Sequence, residues 1–319
     1  MAADSSSQDA MRVASRVTLG QAIARNPPAL ISAIFLSCLT VAAILGPILI
    51  PEAHAHPSEN LYQSPSFSYW FGTDTNGKSV LYSVLTGARV SLLVGFFGAM
   101  ISLFIGTSYG MIAGFAGGAV DAVMMRLVEI LYAIPRVLLV MIFIFSFDGL
   151  LREWMDGLRL RFEAGGFDSL SRFMAWLRSY SRILILTTAL GLIEWLTMAR
   201  LIRGQVLVLK EQQFVQASRA LGRRPLGIMW SHLLPNLRNL IITYLTLTMA
   251  AVILDESFLS FLGLGIEAPA ASWGSLLHHG AKAINPIQIH WWLLLFPAVF
   301  MSLTLIALNF IGDSLRRQF

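Results

Sequence analysis

The sequence predicts an all-α membrane protein with six transmembrane helices, and three observations lead there. Hydrophobic residues make up 56% of the 319 residues and charged ones only 13%, against about 25% charged in soluble domains, so something other than water must cover much of the surface. Six mostly apolar runs, near 28–50, 90–114, 120–147, 183–203, 237–263 and 291–312, each reach the roughly 20 residues that cross about 30 Å of hydrocarbon. The net charge of +5 is modest, and outside residues 148–182 its basic residues favour the segments between alternate runs, the bias that sets membrane orientation.

The elements follow in order. Residues 1–27 are a polar, Ser-rich leader with Arg12, Arg16 and Arg25, expected on the cytoplasmic side. The run at 28–50 is too long for a signal-peptide core and lacks a small-residue cleavage site, so it reads as a retained first helix. Its Cys38, the single cysteine, rules out an internal disulfide and reads as a small buried hydrophobe. Residues 51–89 then form an external loop. With the N-terminus inside, the inner basic residues include Arg126, Arg200, Arg203, Lys210, Arg219, Arg223, Arg224, Arg238, Arg316 and Arg317, and the outer ones are Lys78, Arg89, Arg136 and Lys282. A tight inner turn is expected at Gly117-Gly118.

Within the external loop, Gly72-Thr73-Asp74-Thr75-Asn76-Gly77-Lys78-Ser79 fits the phosphate-loop pattern letter for letter. That motif needs a buried strand before it and a helix opening at the Lys. Here an aromatic patch, Ser68-Tyr69-Trp70-Phe71, precedes it, and Asp74 would put a carboxylate into the phosphate cradle. A turn leading into an amphipathic Val80–Arg89 stretch is the better fit.

Residues 148–182 fit neither a span nor a linker. Leu150, Leu151, Trp154, Met155 and Leu158, then Phe167, Leu170, Phe173, Met174 and Leu177, recur at helical spacing on either side of Ala164-Gly165-Gly166. This predicts a helical hairpin inserted between the third and fourth spans. Its acids (Asp148, Glu153, Asp156, Glu163, Asp168) nearly balance its six Arg, which suits a salt-laced surface rather than nucleic-acid binding. Such a hairpin either lies on the membrane or neighbouring helices, or forms a docking surface for an external partner.

Ionisable residues inside spans cost about 2.5–3.5 kcal/mol each on insertion scales, and so face protein or water. Glu129, Glu194, Asp255 and Glu256 fall in this class. Glu194, with Trp195 beside it, and Glu256 are candidates for lining a pathway, although an interhelical hydrogen bond or a protonated carboxyl would serve equally well at Glu194. Glu129 follows Arg126 closely enough to pair with it, in a helix that Pro135 kinks. The histidines His54, His56, His278, His279 and His290 read as interfacial polar residues rather than metal ligands, because no Cys or carboxylate completes a compact set.

The largest inner loop, 204–236, is the most informative. Phe214 to Leu221 can form a short helix ended by Gly222, where a left-handed cap costs little, and Pro225 prevents its continuation. Gln216-Ala217-Ser218, Gly222, Leu234 and Pro235 resemble, at matching spacing, the docking-loop signature of ABC-transporter permeases. Further blocks resemble the dipeptide/oligopeptide/nickel branch, C-type subunit. They are Phe71-Gly72-Thr73-Asp74 with Gly77, Gly87 to Gly95, Ala133-Ile134-Pro135, Ala199 to Arg203, Arg219 to Gly222, Glu256 to Gly265, Ser272-Trp273-Gly274 and Gly312-Asp313. Three features depart from that pattern: Gln216 where Glu is usual, Lys78-Ser79 where Arg-Asp is usual, and the 148–182 insertion.

The resemblance implies an ABC importer type I permease fold over 90–319, in a bacterial cytoplasmic (inner) membrane with both termini cytoplasmic. It implies no enzymatic activity and no cofactor in this chain, ATP hydrolysis instead falling to separate subunits. It further implies a B-type permease partner, two cytoplasmic ABC ATPases and a periplasmic or extracellular solute-binding protein. The ATPase-coupling residues would be Phe214, Gln216, Ala217, Ser218, Arg219, Ala220, Leu221 and Gly222, within a helix from Gln213 to Gly222. The solute would be a peptide, with nickel or another small solute as the alternative. A stand-alone secondary transporter would instead show broken helices in matched halves and no docking loop, and a membrane enzyme would need a catalytic constellation that the sequence lacks.

Overall fold

The structure is a computed structural model that describes residues 19–266, 270–284 and 288–318. The expectations for residues 1–18, including Arg12 and Arg16, lie outside the described residues. Among those described, the regular structure is helical apart from one isolated antiparallel bridge between Thr73 and Ser79. Helices over Pro27–Leu49, Val80–Ala116, Ser181–Leu209, Pro225–Phe261 and Trp292–Arg317 are long and apolar enough to cross a membrane, and the bent pair Gly118–Ala133 with Arg136–Ala164 makes a sixth if it counts as one span.

A short α1 (Leu19–Ala24) leads into α2 (Pro27–Leu49). Pro27 and Pro28 open α2 where a missing N–H costs nothing. Its packed stripe is Ala29, Ser32, Leu39 and Ala43. Cys38 is one position off that stripe and is exposed, which corrects its reading as a buried residue. After a single turn, α3 (Glu52–Ala55), the loop to residue 79 folds back on itself. The Gly72 backbone (φ +76°) passes so close to Gln63 that a Cβ would lie 2.5 Å from its carbonyl oxygen, while the Trp292 indole donates to the Thr73 carbonyl at 3.1 Å. The Asp74 carboxylate accepts from the amides of Asn76 (2.8 Å) and Lys78 (2.9 Å). Those amides are spent on the loop's own carboxylate instead of facing an incoming phosphate.

The Val80–Arg89 stretch is continuous with the second span in α4 (Val80–Ala116). Its 37 residues extend about 55 Å at 1.5 Å each, well beyond a hydrocarbon core. Gly117 and Gly118, both at positive φ, make the turn into α5 (Gly118–Ala133). At Ile134-Pro135 the chain bends by 91° into α6 (Arg136–Ala164). Ile134 is extended (φ −84°, ψ 132°), as the residue before a proline prefers. The run at 120–147 is therefore two helices rather than one straight crossing, and Arg136, expected among the outer-loop cations, begins a packed helix.

The first arm of the expected hairpin has no break at 148, because α6 continues without interruption to the turn at Gly165-Gly166. The second arm is α7 (Asp168–Ser179), and the two are tied by Arg178 and Asp156 at 2.6 Å. Asp148 holds the hairpin's base through Arg152 (3.0 Å) and Arg182 (3.3 Å). Tyr180 then leads into α8 (Ser181–Leu209). The short helix α9 (Gln213–Ala220) is followed by α10 (Pro225–Ile228), a π-helical turn at Met229–Leu233, and α11 (Leu234–Phe261). Finally come α12 (Trp273–Lys282) and α13 (Trp292–Gln318).

Two devices hold the bundle. The first is the close pairing of α4 with α8, which run parallel. A Cβ would lie 2.8 Å from the Trp195 carbonyl oxygen at Gly106, 2.5 Å from that of Ala199 at Gly110 and 3.0 Å from that of Arg203 at Gly114. Glycines four apart let two backbones approach where lipid provides no hydrophobic drive for helix association. This G-x-x-x-G-x-x-x-G run is readable in the sequence. The second device is a buried knot around Glu256. Its carboxylate, 0% exposed, accepts from Ser260 (2.7 Å), Ser91 (3.1 Å) and Ser257 (3.3 Å). The Trp273 amide donates to Ser91 Oγ at 3.2 Å, and its indole to the Val84 carbonyl at 3.2 Å. Three sequence blocks, Gly87–Gly95, Glu256–Gly265 and Ser272-Trp273-Gly274, thus converge and lock α4, α11 and α12 together.

Candidate functional site

Helix α9 hangs below the bundle as a short, separate rod. Val215 is fully buried in a cluster with Met111 of α4, Ile202 and Val206 of α8, and Ile228, Leu233 and Leu237 on the way into α11. One apolar side chain therefore plugs the rod into the ends of three span helices. Burying it contributes about 1.5–3 kcal/mol. Lys210 donates to the Gly114 carbonyl at 3.0 Å, tying the approach to α9 to the C-terminal end of α4, where a cation is favoured by the helix dipole. The Arg219 guanidinium stacks over the Phe115 ring, 4.6 Å from its centroid.

The opposite face of the rod is open. Phe214, Gln216, Ala217, Arg219, Ala220 and Leu221 are exposed, and Ser218 is buried beside Val215. Leu221 is 87% exposed, a bare apolar tip. Gly222, at φ +75°, turns the chain sharply after it. The Gln216 amide reaches Glu211 at 3.3 Å. Behind the rod, Arg223 meets His232 at 3.1 Å.

The in-span acids separate into three environments. Glu256 belongs to the serine knot. Glu194, buried, lies on α8 with its Oε1 2.7 Å from the Arg136 guanidinium, which also donates to Asp255 of α11 at 2.9 Å. The contact to Glu194 is out of line with the N–H direction, so that oxygen has an ion pair but no aligned hydrogen bond. Arg136 and Asp255 remain partly open to the outside of the chain, their side chains 43% and 26% exposed. Trp195 turns away from this cluster and packs edge-on against Tyr109 at 4.7 Å. Arg126 and Glu129 pair at 3.2 Å on the surface.

The Arg136 cluster was only half legible in the sequence. Glu194 and Asp255 stand out as acids in apolar runs, but Arg136 sits just after a proline, where it passes for a loop residue. The same test applied to an arginine at the start of an apolar run, Arg136-Val137-Leu138-Leu139, would have found it. Elsewhere, His290 stacks on Tyr62 at 4.1 Å and His54 packs on Tyr69 at 4.8 Å. Among the described residues no set of three His, Cys, Asp or Glu groups comes together to hold a metal.

Comparison with known proteins gives a consistent answer. The family described as "Binding-protein-dependent transport system inner membrane component" matches residues 106–319. The chain is 38% identical over 295 residues to the dipeptide transport system permease protein DppC of Bacillus subtilis, covering 92% of this chain and 81% of that protein. It is 39% identical over 294 residues to the oligopeptide transport system permease protein OppC of Escherichia coli K12, covering 91% of this chain and 86% of that one. Identity to OppC of Haemophilus influenzae is 37% over 295 residues, 92% of this chain and 84% of that protein.

Proposed function

The chain belongs to the family of inner membrane components of binding-protein-dependent transport systems, and from that premise we propose that it is half of the solute pathway of an ATP-driven peptide importer. It pairs with a homologous B-type permease and receives its solute from a binding protein outside the membrane. Helix α9, Gln213–Ala220 with Leu221 and Gly222 behind it, is gripped by one of two cytoplasmic ATPases. Both termini lie on the cytoplasmic side of a bacterial inner membrane. The chain burns no ATP itself.

The observation that carries this reading is the two-faced character of α9. Its inner face is pinned by Val215 among the ends of α4, α8 and α11, with Arg219 one turn on stacked over Phe115, while Phe214, Gln216, Ala217, Ala220 and Leu221 are exposed. A push on the open face moves three span helices as a unit, because packed helices shift as rigid bodies rather than deform. Gln216 meets the ATPase through a neutral hydrogen bond, which is weaker than the charge-assisted one a Glu would make. The peptide solute rests on what the relatives' names say of them, and nickel or another small solute remains the alternative.

Affinity purification from the native membrane tests the assembly. A complex with a second permease and two ATPase chains is expected, with solute uptake that follows ATP. Uptake by this chain alone, driven by a proton or sodium gradient, would overturn the proposal.

A further inference from the structure

We propose that Arg136, Glu194 and Asp255 form a cation-selective station in the translocation pathway, which accepts an ammonium or guanidinium group of the passing solute. The inference deepens the transport reading above and rests on it. Three helices contribute one ionisable group each: α6 immediately after the 91° bend, α8 and α11. One guanidinium faces two carboxylates, so the cluster carries a net charge of −1 when all three groups are ionised. The Glu194 oxygen nearest Arg136 is buried and ion-paired at 2.7 Å without an aligned hydrogen bond, so its capacity as an acceptor is not fully used, and Asp255 is the carboxylate that the outside reaches.

The partly open sides of Arg136 and Asp255 fix where that donor comes from. Charged groups at membrane depth almost always face protein or water, and a half-pathway has one water-lined side. A cavity of about 220 Å³ opens on the Arg136 side of the cluster, lined by Arg136 itself with Tyr132, Pro135, Leu139, Ile193 and Thr197, while Glu194 and Asp255 lie outside its wall. It is room for a side chain rather than for a whole peptide. The arrangement contrasts with Glu256 one residue away, whose oxygens are already served by three serines and which has no access from outside. A solute cation completes the charge balance at Glu194 and Asp255 as it passes. An anionic solute meets the net negative charge and is disfavoured.

The experiment uses the full complex in proteoliposomes, with its binding protein pre-loaded and saturating, so that capture does not set the rate. The probes are Ala-Lys-Ala, Ala-norleucine-Ala and N-acetyl-Ala-norleucine-Ala, which carry two, one and no cationic groups. For Glu194→Gln, the uptake advantage of cation-bearing over cation-free peptide is expected to fall by about tenfold, the loss of one hydrogen bond to a charged group. Glu194→Asp should keep most of the advantage, and Asp255→Asn should lower it in the same direction. A loss confined to the acetylated comparison assigns the station to the α-ammonium group, and one confined to the lysine comparison assigns it to basic side chains. Equal slowing of all three peptides, unchanged ratios, or failure of Glu194→Gln to assemble with the second permease would overturn the proposal. If the wild-type complex moves no peptide at all, the transport reading itself falls and takes this one with it.

Discussion

Glu256 and Glu194 are both buried carboxylates in apolar helices, yet their surroundings are opposite. Glu256 is held by hydroxyls from Ser91, Ser257 and Ser260, on its own helix and on α4, and the α12 N-terminus docks on the same serine. Glu194 shares a single guanidinium with Asp255 and keeps an oxygen without an aligned donor. A carboxylate with its bonds satisfied holds a fold together, whereas one left short of donors next to an opening is free to take a ligand. Burial alone does not distinguish the two roles.

That contrast can be broken or sharpened by substitution. The largest effect is expected at Glu256→Leu, which strands three buried hydroxyls at about 1–3 kcal/mol each; thermal unfolding of the detergent-solubilised complex should drop steeply, and an unchanged midpoint would mean the knot is not structural. Gly110→Leu comes next, since its side chain would run into the Ala199 carbonyl oxygen, 2.5 Å from where a Cβ would sit, with an overpacking cost of about 1–3 kcal/mol; the same unfolding assay reads it. Glu194→Gln should cost no more than about 1 kcal/mol, because Arg136 keeps Asp255 and no lone buried charge is created. Stability loss at Glu194 as large as at Glu256 would erase the comparison. Smallest is Arg178→Gln in the hairpin, where the exposed pair with Asp156 contributes about 0.5 kcal/mol; a larger shift would mean that the two arms depend on that pair.

The sequence made the helices legible because hydrophobic length and punctuation are local signals. Pro135 broke its helix, Gly117-Gly118 and Gly165-Gly166 turned the chain, and Gly222 ended the rod between α8 and α10, each through a backbone preference carried by the residue itself. What stayed hidden depended on partners distant in sequence. Nothing near Arg136 says that it meets Glu194 and Asp255, and nothing near Ser91 says that it serves Glu256. The hairpin's first arm was read as a separate piece because polarity changes at 148, but the backbone hydrogen bonds of α6 ignore that change. Cys38 was misplaced because periodicity defines a packed stripe only once the neighbouring helices are known.

The lever itself is tested most directly by cross-linking. With Cys38→Ser as background, a single cysteine at Gln216 should be captured by a short bifunctional reagent onto an ATPase subunit in native membranes, and the cross-linked complex should hydrolyse ATP without moving solute. If the ATPases co-purify with this chain while a cysteine at Gln216 stays unreacted toward them, the short helix is not what they hold.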